Sequence, residues 1–275
     1  MLEALGYEFI QYALLAGLLV SLAAGVIGTL VVVNRLVFLS GGVAHSAYGG
    51  IGLAFFLGFP PLLGAGLVGV LSALLMAYIT LTQRHRSDTV IGVIWAAGMA
   101  MGVILIDLTP GYGADLMSYL FGSIMAVGKG DLLLFAVLDM AIVALVAYFY
   151  KELIAVSFDE QFARIRGLPV RALYLMMLIL AALTVVMAIR VVGLMLVIAL
   201  LTIPTWMAER RSATLAGMMV RAFIYAAIFT VGGLWLSYAY NLTSGAAIIL
   251  VAGAGFALSE GFARLKGFRS STSPR

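Results

Sequence analysis

The chain has 275 residues, 64% of them apolar and only 10% charged, with a net charge of +4 and a mean hydropathy of +1.16. A soluble domain carries charge on about a quarter of its residues. This composition therefore excludes a soluble enzyme and a nucleic-acid-binding domain and, with no cysteine present, a disulfide-stapled scaffold. The apolar residues come in runs of about 20, the length that crosses a hydrocarbon core about 30 Å thick, so the fold class expected is an all-α polytopic membrane protein.

In chain order the runs are Ile10 to Val33, Ala44 to Leu57, Leu62 to Leu81, Thr89 to Ile106, Leu132 to Tyr150, Ala172 to Ile189, Val191 to Met207, Gly217 to Tyr240 and Ala246 to Leu265. Nine transmembrane helices are expected, with eight or ten also compatible, because Ala44 to Leu57 is short and only Arg190 to Gly193 separates the sixth run from the seventh. The first run follows Glu3 and Glu8 without a basic residue and exceeds the length of a signal-peptide core, so it reads as a retained span. Leu116 to Val127 is apolar but too short to cross, and reads as a re-entrant or interfacial segment. The distribution of Lys and Arg sets the orientation. With the N-terminus outside, Arg35, Arg84, Arg86, Lys151, Arg164, Arg166, Arg171, Arg210, Arg211, Arg221, Arg264, Lys266, Arg269 and Arg275 fall at the cytoplasmic face, and only Lys129 and Arg190 fall opposite. Residues 1–265 read as a single transmembrane domain, and 266–275 as a disordered cytoplasmic tail.

Small residues are placed periodically. Gly17, Ser21, Gly25 and Thr29 recur every four residues in the first run, and Gly98 and Gly102 form a GxxxG pair. Such stripes let helix backbones approach closely in lipid.

Two segments point to function. In Ser157 to Pro169, SFDEQFARIRGLP, Ser157 and Glu160 have the spacing of an S-x-x-E capping box. Asp159 and Glu160 suit the first turn of a helix and Arg164 and Arg166 the last; Gly167 suits a left-handed C′ position, and Pro169 stops continuation. A short helix outside the membrane is expected, with Phe158, Phe162 and Ile165 on one apolar face. It fits either a helix lying on lipid headgroups or, as favoured, a docking helix seated in a groove of a cytoplasmic protein.

The second segment holds His45, placed within an apolar run and surrounded by Gly41, Gly42, Gly49, Gly50 and Gly52. A neutral imidazole ligates zinc, manganese or iron, and polar groups at membrane depth are costly enough to invite a functional reading; a hydrogen bond to a neighbouring helix is the alternative. Asp107 and Asp115, flanking a Thr-Pro-Gly-Tyr-Gly turn, and Asp139, near the middle of the fifth run, are further candidate metal ligands. Solvated loop caps (Asp107, Asp115) and a neutral hydrogen-bond donor (Asp139) are the competing roles. The chain has no G-x-x-x-x-G-K-[ST] phosphate loop and no H-E-x-x-H helix, and no catalytic residue is expected.

The stretches FLSGGVAHSAYGGIGLAFFLG (Phe38 to Gly58), DTVIGVIWAAGMAMGVILI (Asp88 to Ile106), SYLFGSI (Ser118 to Ile124), FDEQFARIRGLPV (Phe158 to Val170), VGLMLVIALLTIP (Val192 to Pro204) and GLWLSYAYNLTSGAAIIL (Gly233 to Leu250) occur in this order. Together they resemble the integral-membrane permeases of the metal-ion ATP-binding-cassette (ABC) importers, which serve zinc, manganese and iron uptake. The resemblance implies a type II-like permease fold, two permease copies, two ATPase subunits that use ATP, an extracytoplasmic metal-binding protein, and a prokaryotic inner membrane. It implies that Phe158 to Gly167 is the coupling helix, with Ser157, Phe158, Asp159, Glu160, Phe162, Arg164, Ile165, Arg166 and Gly167 docking the ATPase, and that the transported metal passes His45. One departure stands out: family members read F-L-G-D-A-x-S-H, whereas this chain has Gly41 at the Asp position and Ala44 at the Ser position. The expected function is ATP-driven import of a divalent metal; a metal chelate of siderophore or cobalamin type, or a secondary transporter without an ATPase, are the alternatives.

Overall fold

A bilayer core offers backbone N–H and C=O groups no water, and a helix satisfies them within its own segment. The computed structural model describes residues 7–82, 87–109 and 116–271, and its elements are helices: α1 (Glu8–Val33), α2 (Val37–Leu57), α3 (Pro61–Thr82), α4 (Ser87–Asp107), α5 (Leu116–Phe121), α6 (Lys129–Tyr148), α7 (Tyr150–Phe158), α8 (Glu160–Ile165), α9 (Val170–Val192), α10 (Val197–Glu209), α11 (Leu215–Tyr240) and α12 (Ser244–Ser271). A 3-10 turn at Ile124–Ala126 follows α5.

Among the described residues, α1, α3, α4, α6, α9, α11 and α12 are long and apolar enough to cross a membrane. Helix α2 has 21 residues, its apolarity diluted by His45, Tyr48 and its glycines, and α10 has 13. These nine helices correspond one for one to the nine apolar runs. Helix α12 continues to Ser271, past Lys266, where the sequence reading starts a tail.

Burial sorts the helices. Two thirds of the apolar window is buried in α1 and α9 (67% each), against 17% in α4 and 22% in α6, so α1 and α9 form the centre. Helices α2, α3 and α4 pack together on one side of this pair and α10, α11 and α12 on the other, while α6 lies against α1.

The small-residue stripes do what their spacing predicts. A Cβ at Gly25 would lie 2.5 Å from the Phe223 backbone nitrogen of α11, and one at Gly28 would lie 2.5 Å from the Leu201 carbonyl of α10. Ser21 Oγ, on the same stripe, donates to the Gly17 carbonyl at 2.6 Å and lies 3.1 Å from Thr230 Oγ1 of α11. Between α2 and α4, a Cβ at Gly49 would meet the Gly98 carbonyl, one at Gly98 the Ser46 Cα, and one at Gly102 the Tyr48 carbonyl, each at 2.7 Å. These backbones are in contact, and any side chain would part them.

The segment Leu116 to Val127 is tied to the end of the bundle opposite Arg35, Lys151 and Arg210. Between α9 and α10 the chain breaks at Gly193 (φ +86°), where a Cβ would strike the Gly122, Phe121 and Leu120 backbone. The N–H groups of Leu194 and Met195 donate to the Tyr119 and Leu120 carbonyls at 3.1 and 3.2 Å, and Ser123 N–H donates to the Arg190 carbonyl at 3.3 Å. Ile124 N–H donates to Ser244 Oγ of α12 at 3.3 Å. Groups freed by the end of α9 are thus satisfied by neighbouring chain, the condition for irregular backbone near a membrane. Arg190 also lies 3.5 Å from Asp131.

At the basic end, Arg210 pairs with Glu260 of α12 at 2.5 Å and lies over the Trp206 ring, 4.2 Å from its centroid. Arg211 donates to the Tyr225 hydroxyl at 2.9 Å. The charges that end α10 therefore fasten it to α11 and α12.

Candidate functional site

His45 is half-buried on α2 and faces α4. Its ring stacks on Trp95, with centroids 4.1 Å apart and planes 19° apart, and Nδ1 lies 2.8 Å from Met99 Sδ. Trp95 and Met99 are one turn apart on α4 and so share a face. The glycine contacts at Gly49, Gly98 and Gly102 bring that face within reach of α2.

Gly41, one turn before His45, opens onto a wall: a Cβ there would lie 2.7 Å from Ile198 Cδ1 of α10 and 3.9 Å from the Trp95 ring. A longer side chain at this position would have to displace the tip of Ile198 and would come alongside the indole. What the site offers is an imidazole with a thioether beside it, a pair of borderline and soft donors. Toward the basic end, Val32, Arg35, Val37, Phe38, Trp95 and Ile198 line a cavity of about 530 Å³.

The structure does not bring the described carboxylates to His45. Asp107 is exposed at the end of α4, eight residues beyond Met99 and so about 12 Å further along the helix axis. Asp115 lies outside the described residues. Asp139 is 3% exposed on α6, beside Phe135 and Ile142 on its buried face, and neither carboxyl oxygen has a hydrogen-bond partner. Helix α6 packs chiefly on α1, away from the α2–α4 pair. Among the described residues no three His, Asp or Glu side chains converge.

Trp95 and Met99 are not among the residues that the sequence singles out. The available signal was their i, i+4 spacing, interleaved with Gly98 and Gly102 on the same helix.

The second candidate region corrects the sequence reading of the helix start. Ser157 does not cap: α7 runs through it to Phe158, anchored by buried Leu153 and Val156, and Ser157 Oγ accepts from Asn34 Nδ2 at 2.9 Å. The cap is Asp159, whose extended backbone (φ −148°, ψ 88°) leaves α7 and whose Oδ1 accepts from Phe162 N–H at 2.8 Å. Helix α8 is therefore six residues long, shorter than expected. Glu160 pairs instead with Arg164 at 2.5 Å, an exposed i, i+4 contact that stabilises little.

The end of α8 follows expectation. Gly167 has φ +74°, its N–H donates to the Arg164 carbonyl at 3.0 Å, and Leu168 N–H donates to the Ala163 carbonyl at 3.1 Å, the two bonds of a Schellman motif. Ala163 is fully buried, whereas Phe158, Phe162 and Ile165 are 69%, 47% and 85% exposed. Arg166 lies over the Phe162 ring, 5.1 Å from its centroid.

An all-helical bundle of apolar spans, with a lone histidine between two of them and a short helix displayed beyond the basic end, is that of a multi-pass membrane transport protein. The chain belongs to the ABC 3 transport family, whose family model matches residues 6–262. It is 52% identical over 264 residues to an uncharacterized membrane protein of Synechocystis, covering 96% of this chain and 94% of that protein. It is 31% identical over 265 residues to the manganese transport system membrane protein MntC of Halalkalibacterium halodurans, covering 96% and 91%. Among solved structures it is similar to PsaBC from Streptococcus pneumoniae in complex with Fab, with a TM-score of 0.84, 31% identity, and coverage of 92% of this chain and 91% of that chain. The resemblance read from the six sequence stretches is borne out, as is the all-α membrane fold.

Proposed function

We propose that the chain is the permease subunit of an ATP-driven importer of a divalent transition metal, zinc, manganese or iron. Two copies work with two copies of a separate ATPase subunit and an extracytoplasmic binding protein, in a prokaryotic inner membrane with the N-terminus outside and the basic end in the cytoplasm. The observation that carries the reading is the passage from α7 into α8: a capped helix outside the apolar bundle, with Ile165 at its end and Phe158 at the end of α7 largely uncovered, suits a groove in another protein. The similarity to manganese transport membrane proteins over nearly the whole chain supports a metal as cargo.

In this mechanism the permease makes and breaks no covalent bond. The binding protein delivers metal at the end stitched by Gly193, the metal passes His45 by ligand exchange, and the ATPase moves the bundle through α8. Ser157, Asp159, Glu160, Arg164, Arg166 and Gly167 shape the docking surface around the three apolar side chains. Weak coordination by one imidazole suits release, since a conduction site has to let its ion go. Asp107, at the end of α4 remote from the basic face, is a secondary candidate on the route, whereas Asp139 on α6 stands away from the α2–α4 pair.

The test is accumulation of manganese, iron and zinc, by elemental mass spectrometry, in cells expressing the chain with its ATPase and binding protein. One metal is expected to rise, and the rise to vanish when the ATPase is omitted and to fall with His45→Ala. No rise of any metal with all partners expressed overturns the bare-ion reading, and a chelated metal is then the cargo to test.

A further inference from the structure

We propose that Trp95 is the gate between His45 and the basic end: its indole closes the way from the imidazole to the 530 Å³ cavity, and cargo leaves when the ring swings off His45 into that cavity. The proposal rests on the transport reading above.

Level along the bundle is the first argument. His45 lies eight residues from the start of α2 and Trp95 eight residues from the start of α4, so both stand about 12 Å from the basic end. Met99 lies one turn further from that end. The thioether therefore meets the imidazole from the side of entry, and the indole lies flat on it at 4.1 Å, 19° from parallel. Trp95 also lines the cavity together with Arg35, whereas His45 is not part of that lining.

The surroundings of the ring supply the second argument. Trp95 is half-buried and touches two aromatic neighbours, both from α2: His45, stacked on it, and Phe38, at 5.9 Å and 48°. Phe38 is itself 45% exposed and free to give way. A side chain at Gly41 would meet the tip of Ile198 at 2.7 Å and reach the indole only at contact distance, 3.9 Å. A Trp face attracts cations, so the ring that blocks the path also favours a cation arriving at His45. Arg35, in the cavity lining, disfavours a cation lingering beyond the ring, which makes the cavity a passage and not a second binding site.

The consequence is a leak when the ring is removed. The purified permease–ATPase complex, with its binding protein, is reconstituted in vesicles enclosing a metal-sensitive dye and offered Mn²⁺, Fe²⁺ or Zn²⁺ with and without ATP. Trp95→Ala is expected to admit metal without ATP at least tenfold faster than the unmodified complex, and Trp95→Phe to leak at an intermediate rate. A second measurement covers the case in which Trp95→Ala fails to assemble. Changing Trp206 and Trp235 to Phe leaves Trp95 as the permease's only tryptophan, and, with partner subunits whose tryptophans are also replaced by Phe, its emission is expected to move to longer wavelength when the complex is trapped with a non-hydrolysable ATP analogue. A Trp95→Ala complex that pumps with ATP and stays tight without it overturns the gate, as does a Trp95 emission that is constant through the cycle. An unmodified complex that takes up no metal with ATP overturns the transport reading instead, and the gate with it.

Discussion

Replacing Ile165 with Asp isolates the docking role of α8, because the same side chain has two very different values depending on what covers it. In the chain alone Ile165 is 85% exposed, and a surface substitution of this kind changes stability by no more than about 0.5 kcal/mol. Seated in an apolar groove, an Ile side chain contributes about 1.5–3 kcal/mol, and the uncovered fraction puts the part gained on docking near 2 kcal/mol. At about 1.4 kcal/mol per tenfold, losing it weakens ATPase binding about 30-fold, a floor that the desolvation of the new carboxylate raises further. The assay is a titration of the ATPase subunit against the permease in lipid nanodiscs, with thermal unfolding followed in parallel. A Kd raised at least about 30-fold at unchanged Tm is expected. A Kd within about threefold of the unmodified protein refutes the docking reasoning and leaves α8 as a helix lying on lipid.

Three further outcomes are expected. Asp159→Ala removes the acceptor for Phe162 N–H and costs α8 about 1 kcal/mol, so ATPase affinity falls about fivefold in the same titration, and Asp159→Asn restores most of it. Gly193→Ala places a side chain at φ +86°, ψ 163° against the Gly122, Phe121 and Leu120 backbone; that backbone conformation alone costs a residue with a Cβ about 1–3 kcal/mol, and Tm in detergent falls by several degrees, whereas an unchanged Tm contradicts the close contact. Asp139→Leu relieves a buried carboxyl with no hydrogen-bond partner and raises stability by about 1 kcal/mol, read as a higher Tm; a lower Tm contradicts the lack of a partner.

The spans were legible because hydrocarbon length and the need to satisfy the backbone leave few alternatives, and the stripe Gly17, Ser21, Gly25 announced by its spacing a close helix contact on α1, though not that its partner is α11. The left-handed Gly167 was legible for a similar reason, since its demand on φ is local. What failed was local chemistry overruled by packing. Ser157 has the residue type and spacing of a cap, but buried Leu153 and Val156 hold α7 helical through it, and the cap passes to Asp159. Helix α2 begins at Val37, not near Ala44, because Gly41 and Gly42, poor in apolar surface, are enclosed by Ile198, Ile91 and Met76 from other helices. The neighbours of His45 were illegible for the same reason: Trp95 and Met99 come from a helix some fifty residues away, and nothing in the spacing around His45 encodes them.

The backbone stitch around Gly193 has a mechanical consequence. With Leu194 and Met195 bonded to α5, and Ile124 bonded to α12, the adjoining ends of α9 and α10 behave as a fulcrum, and α10 becomes a lever arm of 13 residues, about 20 Å long. Rotation about that fulcrum produces almost no displacement beside Gly193 and the largest at Glu209. A tilt of about 5° over that helical length moves the far end by about 1.7 Å, and it sweeps Ile198, near the pivot, by only a small fraction of that. The amplitude of such a rotation falls at the basic end, at Glu209, while Ile198, the α10 residue that lines the cavity, stays beside the pivot.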